Sequence, residues 1–271
     1  MLGACAGVDD AHGDFDMEFR GADSGSSDGG DGDYSRDSGQ GENADPERPG
    51  GGGEWLSNGL DDPNYGGIDV AHGLDTTAGL SDAAELVDDQ DWRNTVRYVV
   101  ECALPAGHVI ERSSGGTTYQ FHGRLGLAPQ WESGACDEDC QQWVTACLLA
   151  RTNVTGQTIP LWLQADHDAI GFGLPDQDVV FEASYYGNIF ADPGQQYLCK
   201  GQGNNVVAAQ REGRTCISGG SENCGFTTYN NCFSHDRCAE DGPDADVYTG
   251  CKSGHLASST AYHTIAVYVA I

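Results

Sequence analysis

The chain has 271 residues, of which 42 are acidic and 13 are basic, so its formal net charge is −29. A surface this acidic repels phosphate groups, which argues against a nucleic-acid partner, and the sequence shows no basic patch. No apolar run reaches the roughly eighteen residues that a membrane-spanning helix needs. Eleven cysteines beside only two methionines indicate an oxidising compartment rather than the cytosol.

Residues 1–90 differ in composition from the rest of the chain. They carry 22 acidic residues, three basic residues and 19 of the 39 glycines, with few aliphatic side chains. Such a segment buries too little apolar surface to offset the roughly 1–2 kcal/mol per residue that backbone ordering costs. We therefore predict a disordered acidic tether over 1–90 and a single folded domain over 91–271. The charge of the tether predicts weak, diffuse calcium binding, and no cofactor is expected.

Cys5 is the one cysteine in this tether, and it stands in a motif for lipid attachment. The residues from Leu2 to Cys5 resemble the lipobox of bacterial lipoproteins, in which small residues precede the lipidated cysteine. Only four residues precede Cys5, so either the true start lies upstream of Met1 and this segment belongs to a signal peptide, or the match is a chance one. Ala6 follows the cysteine, and the resemblance then implies an outer-membrane lipoprotein that faces the periplasm or the cell surface; otherwise the protein is extracellular.

The folded part has the pattern of an α+β domain. Apolar residues at helical spacing predict a helix over 92–103, which ends before Pro105. The β-prone segments 108–112 and 117–122 flank Gly115 and Gly116, which predicts a hairpin. A second helix is predicted over 137–151, because acidic residues at its start complement the helix dipole.

Further strands follow this second helix. Alternating apolar residues predict half-buried strands over 159–163 and 265–271, and the segments 179–181 and 185–190 are also β-prone. The fold class is therefore a single disulfide-rich α+β domain with two main helices and a mostly antiparallel sheet. The region 193–254 is predicted to be loops held by disulfides rather than by packing, since it contains six of the domain's ten cysteines.

Those ten cysteines are an even number and can form five disulfides, whose connectivity the spacing does not determine. Each bridge typically stabilises a fold by about 2–4 kcal/mol through restriction of the unfolded chain. The predicted disulfide cysteines are Cys102, Cys136, Cys140, Cys147, Cys199, Cys216, Cys224, Cys232, Cys238 and Cys251.

A His-Asp pair between two cysteines carries one catalytic hypothesis. The segment from Asn231 to Cys238 resembles the active-site signature of secretory phospholipases. In that family the histidine is the general base and the aspartate helps to hold calcium, which implies these roles for His235 and Asp236. The segment departs from the family where Asn231 replaces a cysteine, and Pro243 would interrupt a long helix.

A cysteine nucleophile is the second hypothesis. Cys140 lies near a predicted helix start, where the dipole lowers a thiol's pKa, and His263 opens the last predicted strand. This order of cysteine and histidine is the one used by papain-like and cell-wall amidase-type peptidases. A structural disulfide at Cys140 is the competing interpretation. Zinc binding by Cys232, His235 and Cys238 is a third hypothesis, against which an oxidising compartment favours disulfides.

Several segments resemble uncharacterised cysteine-rich envelope lipoproteins of myxobacteria and their relatives. They are YVVECALPAG at 98–107, GLAPQW at 126–131, WVTACLLARTN at 143–153, EASYYGNIF at 182–190 and the strand VYV at 267–269. This resemblance implies an anchored envelope protein and assigns no catalytic residues. We therefore expect a non-enzymatic binding or structural lipoprotein, whose partner would be an envelope glycan or another protein. Its oligomeric state is not predicted.

Overall fold

The computed structural model describes residues 53–61, 63–153, 157–176, 178–201, 224–229, 231–240, 247–254 and 258–270. These residues form an α+β fold, as predicted. Its helices are α1 (Ala84–Val87), α2 (Gln90–Ala103) and α3 (Glu138–Arg151). Its strands are β1 (Glu54–Ser57), β2 (Val109–Ser114), β3 (Thr117–His122), β4 (Pro160–Gln164), β5 (Val179–Asn188), β6 (Gln195–Lys200), β7 (Thr227–Tyr229), β8 (Ala239–Glu240), β9 (Tyr248–Thr249) and β10 (Thr264–Ala270).

Six strands form the main sheet, in the order β1-β4-β10-β5-β6-β7. All neighbours in it are antiparallel except β6 and β7, which run parallel. The last strand of the chain, β10, therefore lies inside the sheet between β4 and β5. Two small hairpins, β2–β3 and β8–β9, stand apart from it. In the part of the chain that the structure describes, no helix is both long enough and apolar enough to cross a bilayer.

The two main helices lie where the apolar spacing predicts them. The side chain of Asp89 caps α2 by accepting a hydrogen bond from the backbone N–H of Asp91. The side chain of Asp137 caps α3 in the same way, at 3.0 Å from the backbone nitrogen of Cys140. From Gln142 onward α3 is buried on every side. A helix of that kind must lie in a core, and α3 packs between α2 and the strands β5 and β10.

The predicted hairpin is confirmed, and its turn explains the two glycines. Gly115 and Gly116 have φ angles of 57° and 86°, which a two-residue turn of type I′ requires. Glycine adopts such angles without the steric cost that a Cβ atom brings. The turn thereby sets the register in which Ser114 pairs with Thr117.

The faces of the main sheet are covered by different kinds of residue. On one face, aliphatic side chains of α2 and α3 pack against Ala183, Tyr185 and Val267. The other face carries aromatic rings and cysteines. A row of rings crosses four neighbouring strands there, through the paired positions of Trp55, Trp162, Tyr268 and Phe181.

The predicted boundary between tether and domain at residue 90 needs correction. Strand β1 pairs with β4 in the main sheet, so the folded chain already includes residues 54–57. The segment up to residue 90 also contributes side chains of 0–2% exposure to the core: Leu56, Leu60, Leu74, Leu80 and Val87. The composition of this segment did not indicate that it contributes to the core, because its apolar residues are few. The five residues just named are nevertheless buried there. The rest of the predicted tether, 1–52, lies outside the described residues.

A buried arginine holds part of this segment in place. Arg112 of β2 is 7% exposed and donates to the backbone carbonyls of Leu74, Thr76 and Leu80 at 2.6–2.8 Å. Three carbonyl acceptors satisfy the guanidinium that burial would otherwise leave without water. The loop around residues 74–80 is thereby joined to the β2–β3 hairpin.

The region 193–254 also contains more regular structure than predicted. Strands β6 and β7 extend the main sheet, and Leu198 of β6 is fully buried. Disulfides and packing therefore act together there. The residues 202–223, including Cys216, lie outside the described part of the chain.

Removing residues 54–90 should unfold the domain, whereas removing only residues 1–52 should not. A chain that starts at Asp91 lacks β1 and four buried leucines, and truncation of one such leucine typically costs about 2–5 kcal/mol. Their combined loss, about 8–20 kcal/mol, is as large as the roughly 5–15 kcal/mol by which a domain is usually stable. Urea unfolding followed by tryptophan fluorescence measures this. Equal midpoints for chains that start at Gly53 and at Asp91 would contradict the revised boundary.

Candidate functional site

His263 and Asp139 form a pair at the start of α3. His263 immediately precedes β10, and its Nε2 atom lies 2.6 Å from Oδ1 of Asp139. The backbone nitrogen of His263 donates to Oε1 of Gln142 at 3.0 Å. Its ring stacks on Trp143, with centroids 4.4 Å apart and planes 15° apart. Three contacts therefore fix this imidazole against successive turns of α3.

A second histidine contacts the same tryptophan from another side. The ring of His167 meets Trp143 edge-on, with centroids 4.8 Å apart. Its Nδ1 atom accepts a hydrogen bond of 3.0 Å from the backbone nitrogen of Ala169. Burial lowers the pKa of His167 below its usual value near 6.5, against a hydrogen bond to the backbone of Leu127 and the nearby charge of Asp168. This ring is therefore held in the neutral form.

The contacts around Trp143 form a histidine cluster, which consists of Asp139, Trp143, His167 and His263. An imidazole that contacts a carboxylate can move a proton, and a hydrolase would place a nucleophile beside it. The side chains of Asp139 and His263 are 62% and 37% exposed, so this pair lies at the surface rather than in a closed pocket. Sequence reasoning found His263 and missed Asp139 and His167. No spacing could have indicated the pair, since 124 residues separate its members.

The nucleophile predicted at Cys140 is absent from this arrangement. Cys140 directly follows Asp139, the residue whose carboxylate contacts His263. However, Cys140 is fully buried and is bonded to Cys136. A sulfur in a disulfide has no thiolate form and cannot attack a substrate. The predicted catalytic pair of Cys140 and His263 is therefore wrong, and Cys140 is a disulfide cysteine instead.

The predicted phospholipase pair has a different setting from the one its resemblance implies. His235 and Asp236 are exposed and lie in a single 3-10 turn, Ser234–Asp236, instead of in a long helix. Both have left-handed backbone angles, with φ values of 60° and 50°. Among the described residues, neither belongs to a group of three or more side chains that could ligate a metal. The geometry therefore gives no support to a calcium-dependent base at this position.

The described cysteines are all disulfide-bonded. The bridges between described residues are Cys102–Cys147, Cys136–Cys140, Cys199–Cys232 and Cys238–Cys251. Cys224 is bonded as well, to a partner outside the described residues. The use of these nine cysteines in disulfides is therefore confirmed, while Cys5 and Cys216 lie outside the described residues.

The zinc hypothesis is changed by the same bridges. The sulfur atoms of Cys199, Cys232 and Cys238 do lie within 4.8 Å of one another, in a group that His235 does not join. Each of these sulfurs is already bonded to another sulfur. The cluster is thus a pair of adjacent disulfides in this structure, and the predicted set with His235 is not assembled.

A small cleft lies apart from the predicted catalytic residues, and the disulfide-bonded Cys224 forms part of its wall. Its volume is about 180 Å³, and its walls include Asp61, Tyr65, Gln196 and Phe226. Burial raises the pKa of the Tyr65 phenol, so this hydroxyl is neutral. None of the predicted catalytic residues lines this cleft.

Acid should weaken the fold through His167. A ring whose pKa is lowered by folding binds its proton more readily in the unfolded chain, so its stabilisation is complete above about pH 6.5 and is lost as the pH falls below that value. The free energy of unfolding of wild type should therefore approach that of His167→Gln as the pH falls below about 6.5. Urea unfolding between pH 8 and pH 5 measures it, with His122→Gln on exposed β3 as the control. A difference that stays constant or widens towards acid would contradict this reading of His167.

The comparisons with known proteins do not assign this chain. No protein-family model, no curated protein and no solved structure matches it. The resemblance to myxobacterial envelope lipoproteins therefore stays a prediction. What the protein does must be inferred from its own residues and their geometry.

Proposed function

We propose that this chain is a non-enzymatic binding or structural protein of the cell envelope or the extracellular space. The observation that carries the proposal is the complete pairing of the nine described cysteines, including Cys140. Disulfides of this number persist in oxidising surroundings and are rare in the cytosol, so they are consistent with an extracellular or envelope location. One of these disulfides contains Cys140, the predicted cysteine nucleophile.

The exposed histidines support the same proposal. The contact between His263 and Asp139 joins the start of β10 to the first turn of α3. Trp143 stacks on one face of the His263 ring. The neighbouring sulfur at Cys140 is bonded to Cys136. His235 lies on an exposed turn, where a general base would lack the enclosure that excludes water. Each of these histidines has a structural position, and neither calcium-dependent phospholipid hydrolysis nor cysteine peptidase chemistry gains support from it.

Attachment to a membrane through Cys5 is the second part of the proposal. The lipobox-like residues from Leu2 to Cys5 precede a segment, 6–52, that carries 13 acidic and three basic residues. The domain that begins at Gly53 would then be attached to the outer membrane through Cys5 and meet partners at the cell surface or in the periplasm.

Trp55, Trp131 and Trp162 offer little accessible ring surface to a glycan. Trp131 is fully buried and Trp162 is 6% exposed, where its indole N–H donates to the carbonyl of Gly173 at 2.7 Å. Only Trp55 of these three is half-buried, on the edge strand β1. Phe233 and Leu174 are apolar side chains with more accessible surface, at 47% and 49% exposed. A protein partner fits these scattered apolar side chains better than a glycan, which favours flat aromatic platforms.

Lipid attachment predicts a clear difference between two variants expressed in the natural host. Wild-type protein should partition into the detergent phase of a phase-separating detergent extract, whereas Cys5→Ser should stay in the aqueous phase because it has lost the acyl chains. A variant that lacks residues 6–52 but keeps Cys5 is the matched control and should remain in the detergent phase. Intact mass reports the diacylglycerol addition. Wild type and Cys5→Ser that partition alike would overturn the anchor.

A further inference from the structure

Two disulfides on the aromatic face of the sheet touch each other. Cys199 of β6 is bonded to Cys232, and Cys238 is bonded to Cys251 across the β8–β9 hairpin. The sulfur of Cys199 lies 3.4 Å from that of Cys238 and 3.9 Å from that of Cys251. The sulfur of Cys199 is therefore in contact with both sulfurs of the other bridge, so a rotation of the Cys238 side chain could pair it with Cys199 instead of Cys251.

Access to this group of sulfurs is uneven. Cys199, Cys232 and Cys251 are fully buried, while Cys238 is half-buried. An external thiol can therefore reach the group at Cys238 and cannot reach the Cys199–Cys232 bridge directly. Since thiol–disulfide exchange proceeds by attack of a thiolate on a disulfide sulfur, Cys238 is the point of entry.

The contact between the closed bridges is side-on. Because Cys199 lies at similar distances from both sulfurs of the Cys238–Cys251 bridge, it is not in line with the bond that would have to break. The two bridges are therefore inert toward each other while both are closed. Exchange becomes feasible only when one of the sulfurs is released and turns about its Cα–Cβ bond.

We propose that these four cysteines form a thiol–disulfide exchange relay. An external dithiol attacks Cys238, breaks the Cys238–Cys251 bond and leaves as its own disulfide, so that two electrons and two protons pass to Cys238 and Cys251. The Cys238 thiolate then attacks Cys199, and a Cys199–Cys238 bond forms as the Cys199–Cys232 bond breaks. Cys232 leaves as a thiolate and takes up the proton that Cys238 gave up.

The relay goes beyond a binding or structural role, because it makes this face of the domain respond to dithiols. Before exchange, one bridge ties β6 to the chain after β7 and the other closes the β8–β9 hairpin. After exchange, one bridge ties β6 to Cys238 directly, and the hairpin is released at Cys251. The partner is thus a dithiol of the oxidising compartment, whether a small molecule or a protein.

The variant Cys232→Ser tests the exchange step without any reductant. It leaves Cys199 as a thiol beside the intact Cys238–Cys251 bridge. Cys199 is expected to attack Cys238 and release Cys251. After incubation at neutral pH, the protein is unfolded in acidic denaturant that contains a maleimide, and peptide mapping should find the label divided between Cys199 and Cys251. A peptide that joins Cys199 to Cys238 should accompany the Cys251 label. Label on Cys199 alone, with the Cys238–Cys251 bridge intact, would overturn the proposal.

A matched control uses the Cys102–Cys147 bridge, which has no sulfur contact with another bridge between described residues. In Cys147→Ser the sulfur of Cys102 becomes a thiol whose neighbour is the guanidinium of Arg151, at 3.9 Å. All label should then fall on Cys102, and the remaining bridges should keep their partners.

Wild-type protein treated with one equivalent of dithiothreitol keeps the proposal testable if Cys232→Ser fails to fold. The relay predicts label on Cys232 and Cys251 together with a Cys199–Cys238 peptide. Label on Cys238 and Cys251 with Cys199–Cys232 intact would show that the bridges react independently and would overturn it.

Discussion

The helical face of this domain depends on one buried charge, the guanidinium of Arg151 at the end of α3, which is 2% exposed. It forms an ion pair with Glu101 of α2, donates to the carbonyl of Ser57 at 2.8 Å, and stacks over Tyr98 at 4.1 Å. Burial lowers the pKa of Arg151, and the Glu101 carboxylate opposes this by stabilising the charged form. Removing one partner of such a pair typically costs about 3–5 kcal/mol, because the other charge is left buried.

This arginine also explains why the fold begins so far upstream of its first main helix. The carbonyl of Arg151 accepts hydrogen bonds from the backbone nitrogens of Gly59 and Leu60, at 3.0 and 3.2 Å. The segment after β1 is therefore bound to the end of α3, and the Cys102–Cys147 bridge holds α2 to α3 beside it. On the opposite face of the sheet, aromatic rings and two touching disulfides take the place of helices. An aliphatic core on one side and covalent bonds on the other together support the proposal of a domain built for an oxidising exterior.

The parts of this structure that sequence reasoning could predict are those with a local signal. The helices α2 and α3 follow from apolar spacing and acidic starts, and the β2–β3 hairpin follows from Gly115 and Gly116. Strand β1 was missed because a four-residue edge strand in a glycine-rich, acidic segment has no periodicity to detect. The His263–Asp139 contact and the four-sulfur group could not be predicted, since each joins positions far apart in the chain. Cys140 shows the converse case, in which a position typical of a reactive thiol belongs to a short-range disulfide.

The central claim is that the cysteines of this domain are structural bridges in an oxidising compartment, and a disulfide map of protein isolated from its natural source tests it most directly. The sample would be alkylated at once, digested without reduction at acidic pH, and mapped by mass spectrometry. The account predicts peptides that join Cys102 to Cys147, Cys136 to Cys140, Cys199 to Cys232 and Cys238 to Cys251, with no label on Cys224. Stoichiometric label on Cys140, or on most of these cysteines, would contradict it and would restore the case for a thiolate nucleophile or an intracellular protein.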